Sequence, residues 1–92
     1  MKETVELNIA VRVMGKLKPV AILTLDGYID STTAAHLKDE LLSLGRDIDR
    51  FILNFSGVEY VSSAGWGVIL ARIKEHREKG GDIILTKMIK EV

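Results

Sequence analysis

The apolar residues of this chain change period repeatedly along its length, and few folds accept the order in which they do so. Glu6 to Val13 alternates, with Leu7, Ile9, Val11 and Val13 on one face and Glu6, Asn8 and Arg12 on the other. A period of two marks a half-buried strand. Gly15-Lys16-Leu17-Lys18-Pro19 breaks the pattern and supplies a turn before Val20 to Leu25, a run so continuously apolar that it predicts a strand covered on both faces. The pair reads as a hairpin.

Asp26-Gly27 is expected to end the second strand, and Asp30, Ser31 or Thr32 to cap a helix. Ala34, Leu37, Leu41 and Leu44 then keep helical spacing, and Gly45 stands where a left-handed C-cap is wanted. Phe51 to Phe55 predicts a short strand, with Ser56 to Val61 as the loop that follows it. A second helix is expected from about Ala64 to Lys79, carrying Trp66, Ile69, Leu70 and Ile73 as its apolar stripe. Gly80-Gly81 stops it, Asp82 to Thr86 forms a last strand, and Lys87 to Val92 begins a third helix. Met14 and Met88 read as core fillers. Strands separated by helices require parallel, right-handed crossovers. The expectation is one small α/β domain over residues 1–92, a mixed sheet with an N-terminal hairpin and helices packed on it.

Composition narrows the function. Thirteen basic and thirteen acidic residues cancel and are interspersed, so there is no electrostatic footprint for nucleic acid or an anionic membrane. The absence of cysteine removes disulfides, thiolate nucleophiles and cysteine metal sites. No segment has signal-peptide or membrane-span character, which predicts a soluble, cytoplasmic domain with no direct membrane insertion. His36 and His76 are expected on charged helix surfaces and share no metal-ligand spacing. A nucleophile elbow needs glycine two residues before its serine, where Val61 stands before Ser63. Gly65-Trp66-Gly67 alone does not make a nucleotide loop. The reading is a non-enzymatic protein without cofactor or metal.

The stretch Tyr60 to Gly67, YVSSAGWG, places two serines and several small residues between a strand and a helix. A helix start exposes unpaired amides and the positive end of the dipole, and small neighbours allow close approach. A phosphate there is tolerated by the helix and changes the surface a partner meets. The ordinary role of such serines is a cap.

The run Phe51 to Leu70, FILNFSGVEYVSSAGWGVIL, resembles the core of STAS domains, the family of bacterial anti-sigma factor antagonists and of the cytosolic domains of sulfate transporters. Leu25-Asp26-Gly27-Tyr28-Ile29-Asp30 is similar to that family's Gly-x-Ile/Leu-Asp ahead of its first helix, and the element order agrees. The resemblance implies an antagonist that binds an anti-sigma factor that is also a serine kinase, is released when phosphorylated, and is reset by a phosphatase. It implies Ser63 as the phosphorylation site, with Ser62 secondary, and makes the protein a phosphoprotein acting by partner switching in transcription regulation. Asp26, Asp30, Asn54, Ser62, Ser63, Gly65 and Trp66 form the expected partner-binding set. Asp30 equally reads as a cap and Asp26 as a strand end. Two residues depart from the pattern: Asn54 stands where Asp is common, and Ser62 where many members carry Asp. The family continues past the fourth strand, so the C-terminal part reads as truncated or reduced, and an uncovered sheet edge would then seek a partner chain, including a second copy. The alternative is a structural or sensory STAS module of a stress-signalling assembly or a transporter accessory, without a phosphoswitch. A third reading is a small-molecule or nucleotide-binding domain that uses the amides near Ser63.

Overall fold

The computed structural model describes residues 7–87. Its elements run β1 (Leu7–Met14), β2 (Val20–Ile29), α1 (Ser31–Leu44), β3 (Arg50–Val61), α2 (Ser63–Glu78) and β4 (Asp82–Thr86). One four-stranded sheet has the spatial order β1-β2-β3-β4. β1 pairs antiparallel with β2 across the predicted hairpin, and β2–β3 and β3–β4 are parallel. Both crossovers step the same way across the sheet, so right-handedness lays α1 and α2 on one face. The expected order of elements and the mixed sheet are what the chain forms.

The core lies between that face and the helices. Ala21, Leu23 and Leu25 from β2, Phe51, Leu53 and Phe55 from β3 and Ile83 from β4 are buried with Leu37, Leu41 and Ile69 from the helices. β2 departs from expectation in two ways. It continues through Asp26-Gly27 to Ile29, and it is covered on one face only, its residues alternating between buried and more exposed. Its apolar sequence resembles a doubly covered strand because Val20 and Ile22 face away from the helices and are half-buried.

β3 departs further. The expected loop Ser56 to Val61 is strand, giving twelve residues from Arg50 to Val61. Two register shifts against β2 hide this: Thr24 pairs with Asn54 but Asp26 with Gly57, and Gly27 pairs with Val58 but Tyr28 with Tyr60. Each adds one residue to β3 and moves the inward phase by one. Buried positions therefore run Phe51, Leu53, Phe55, then Val58 and Val61, which no period-two reading recovers.

The remaining corrections concern single residues. Gly45 ends α1 right-handed, at φ −68°, and its amide donates to the Leu41 carbonyl. Leu70 and Met14 are more than half exposed. His76 is half-buried, edge-on to Phe51 at 5.2 Å. Its Nδ1 lies 2.9 Å from the Arg72 carbonyl, so Nδ1 carries the proton. Of the expected third helix only Lys87 is described, with φ +58°; the rest of it, and Met88, lie outside the described residues.

Candidate functional site

The parallel strands β2 and β3 end side by side, and each hands the chain to a helix. Asp30 caps α1: its carboxylate accepts from the Thr32 and Thr33 amides, both at 2.9 Å. Thr33 completes a reciprocal box, its hydroxyl accepting from the Asp30 amide at 2.9 Å and donating to the Tyr28 carbonyl at 2.8 Å. The Thr33 and Thr32 amides, with the other bonds at the cap, hold the Asp30 carboxyl below the usual carboxylate range.

Ser62 caps α2. Its Oγ accepts from the Gly65 amide at 3.0 Å, and its own amide donates to the Ile29 carbonyl at 2.8 Å. That bond ties the two helix starts together through one residue, Ile29. Gly65 then packs directly on the same residue. A Cβ there would lie 2.8 Å from the Ile29 carbonyl oxygen and 2.9 Å from its Cγ2, so only glycine lets α2 sit this close to β2.

These contacts leave the two serines in different states. The Ser62 hydroxyl is occupied by the cap. Ser63 is the first residue of α2 and is exposed. No acidic residue stands in the first turn of α2, so the positive end of the helix dipole is uncompensated by its own side chains. Beyond Ser63 the outer surface of the helix continues with exposed Ala64, Gly67 and Leu70. Trp66, half-buried, stacks on Phe55 with ring centroids 6.0 Å apart and planes 7° from parallel. It is an anchor of the helix on the sheet with one edge in reach of solvent.

Of the partner-binding set expected from sequence, Asp30, Ser62, Ser63, Gly65 and Trp66 meet at this end of the sheet. Asp26 and Asn54 lie elsewhere. Both belong to strands, on the face away from the helices, where Asp26 pairs with Gly57 and Asn54 with Thr24. Asn54 Oδ1 accepts from the Ser56 amide at 2.9 Å. Seven strand residues put Asn54 on the order of 20 Å from Val61.

Sequence reading missed four contributors. Thr33 was signalled by its spacing of three from Asp30, the interval of a capping box. Ile29 had no signal, because its role rests on a carbonyl and on proximity. Tyr28 and Tyr60, paired across β2 and β3, are 40% and 53% exposed and flank the two caps on the helix-free face. The neighbouring Glu59 carboxylate accepts from the Tyr28 hydroxyl and pushes its pKa up.

His76 stands thirteen residues along α2 from Ser63, about 20 Å by helix rise, and is turned toward Phe51, so it does not serve that hydroxyl. Among the described residues no cluster of His, Cys, Asp and Glu has metal-binding geometry, and no helix is long and apolar enough to cross a membrane.

The family profile described as STAS domain matches residues 11–92. BtrV of Bordetella bronchiseptica, named as an anti-sigma factor antagonist, is 30% identical over 76 residues, which are 82% of this chain and 66% of BtrV. The chain thus spans just under two thirds of that relative's length. The unphosphorylated form of the anti-sigma factor antagonist SpoIIAA superposes with a TM-score of 0.68 at 19% identity, over 89% of this chain and 77% of SpoIIAA. The phosphorylated form of the Bacillus cell fate determinant SpoIIAA gives 0.69 at 19% identity, over 89% and 76%. An antisigma-factor antagonist STAS domain from Rhodobacter sphaeroides gives 0.62 at 11% identity, over 86% and 84%. The sheet with two helices on one face is the fold of these proteins.

Proposed function

The chain belongs to the STAS domain family, and from that membership we propose that it is an anti-sigma factor antagonist, a cytoplasmic, non-enzymatic regulator switched by phosphorylation of Ser63. Its partner is an anti-sigma factor with serine kinase activity, and a phosphatase restores the free hydroxyl. The observation that carries the reading is the contrast at the head of α2. Ser62 spends its hydroxyl on the cap, whereas Ser63 is exposed at the first helical position.

The chemistry suits a switch. A phosphate on Ser63 adds up to two negative charges at the end of α2 where the dipole favours them, so the helix keeps its start. The cost falls on the complex. A partner packed over Ser63 and the exposed small residues of α2 would have to bury that charge, and the Asp30 carboxylate on the adjacent cap adds like charge nearby. Release follows without unfolding. SpoIIAA, which shares this fold, is described in both phosphorylated and unphosphorylated forms, and that supports phosphorylation as a means of control on this architecture.

The test uses any histidine-kinase-like anti-sigma factors found encoded in the genome that carries the gene. Incubation with such a kinase and ATP is expected to add one phosphate, mapped to Ser63 by mass spectrometry and absent from Ser63→Ala. Ser63→Glu is expected to bind the kinase at least about tenfold more weakly than wild type. No phosphate from any of these kinases, together with equal binding by Ser63→Glu, would overturn the switch and leave a structural or sensory STAS module.

A further inference from the structure

Aromatic side chains are scarce in this protein, and their placement is uneven. Of two phenylalanines, one tryptophan and two tyrosines, Phe51 and Phe55 are buried and Trp66 is half-buried. Only Tyr28 and Tyr60 are exposed, and neither ring joins the hydrophobic core. They stand side by side as partners across β2 and β3, each one residue from the end of its strand. Tyr60 is three residues before Ser63.

The charges at this end carry one sign. Residues 25–31 and 55–71, which build it, include Asp26, Asp30 and Glu59 and no lysine or arginine, although acidic and basic residues balance over the whole chain. Asp30 is occupied by the α1 cap. Glu59 accepts from the Tyr28 hydroxyl, which fixes its carboxylate beside the ring pair. Asp26 lies two positions before Tyr28 on the same strand face, its Oδ1 2.9 Å from where a Cβ on Gly57 would stand. Among the described residues neither Asp26 nor Glu59 has an ion-pair partner.

Two aromatic rings beside uncompensated carboxylates attract a guanidinium or ammonium group, by cation–π contact and by charge. We propose, on the premise that a kinase acts on Ser63, that this kinase lays a cationic side chain, arginine or lysine, on the Tyr28–Tyr60 pair and uses it as its anchor. A specific complex buries about 800 Å² on each partner, a disc of roughly 16 Å radius. Three residues of extended chain put Tyr60 at most about 11 Å from Ser63, well inside such a disc. Next to Ser63 the helix offers Ala64 and Gly67, a methyl group and bare backbone. The two tyrosines offer on the order of 200 Å² of accessible ring, of a residue type on which binding energy concentrates. The rings lie on the sheet side of this end and Ser63 on the helix side, so the anchor confers affinity through contacts that a phosphate on Ser63 does not touch.

Calorimetric binding to the same kinases, at low and at physiological salt, tests this. Tyr60→Ala is expected to bind at least about tenfold more weakly than wild type, and Tyr60→Phe, which keeps the ring, within about threefold of it. Glu59→Lys, at an exposed position, is expected to lose at least about tenfold, and Glu59→Gln to flatten the salt dependence. If Tyr60→Ala loses the wild-type circular dichroism, Tyr28→Ala takes its place. Wild-type affinity in the folded tyrosine variant or in Glu59→Lys overturns the proposal, even where Ser63→Glu binds weakly and the phosphoswitch stands. Weak binding by both variants beside full binding by Ser63→Glu has the opposite meaning: the anchor holds and the switch falls. A wild-type chain that binds none of these kinases overturns both.

Discussion

Ser62 and Ser63 are adjacent and chemically identical, yet their surroundings make them separable by experiment. The Ser62 Oγ satisfies the Gly65 amide, one of the donors that a helix start leaves without an intrahelical partner. Ser62→Ala is expected to cost about 1 kcal/mol of stability in urea unfolding. Ser63→Ala, at an exposed first helical position where alanine is a better helix former than serine, is expected to change stability by less than about 0.5 kcal/mol. Equal losses at the two positions would mean that the cap had been misassigned. The difference bears on function, because the Ser62 Oγ sits half-buried against the Gly65 amide, whereas Ser63 is exposed to an incoming partner.

At the scale of elements, the approach of α2 to β2 is decided by two glycines with opposite surroundings. Gly65 is pressed against Ile29, and any Cβ would sit within 3.0 Å of it. Gly67, two residues on and near mid-turn, has open space where a Cβ would go. Gly65→Ala is therefore expected to lose about 1–3 kcal/mol by overpacking. Gly67→Ala should gain about 0.5–1 kcal/mol from helix propensity alone. Thermal melts of the two variants should move in opposite directions; a shift of the same sign would refute the close packing at Ile29. Binding should separate them as well, because Gly67 lies on the exposed side of α2. There a new methyl group would press on a docked partner without disturbing the fold.

For the molecule as a whole, stability should fall off at both ends of the pH scale. The folded-state pKa of Asp30 is lowered, chiefly by the Thr33 amide, and that of Asp82 is lowered chiefly by its bond from Arg77. A depressed carboxyl pKa stabilises the native state above the unfolded value of about 3.9, and the contribution disappears as pH falls through the folded value. Tyr28 behaves oppositely. Its pKa is raised, first by the hydrogen bond to Glu59, so its contribution is complete below the unfolded value of about 10 and is lost as pH climbs through the folded one. Urea midpoints measured across pH should show an acid limb that is shallower in Asp30→Asn and an alkaline limb that is shallower in Tyr28→Phe. Unchanged limbs in both variants would contradict these assignments.

What could be read from residues alone was whatever is settled within a few positions of the chain. The alternation of Leu7 to Val13 placed β1, the spacing of Ala34, Leu37 and Leu41 placed α1, and the serines before Ala64 placed the head of α2. Each rests on local periodicity or on a cap that closes within three residues. The apolar run Val20 to Leu25 located β2 but not its coverage, because local order cannot say whether a second layer lies over Ile22. β3 was halved in the reading because two bulges change its phase, and a bulge exists only relative to the strand beside it. His76 and Leu70 exchanged their expected places for the same reason, one drawn against Phe51 and the other left in solvent. The joining of the two helix starts through the Ile29 carbonyl lay wholly outside sequence logic. Ile29 and Ser62 are far apart in the chain, and only the parallel pairing of β2 with β3 brings that carbonyl to the Ser62 amide.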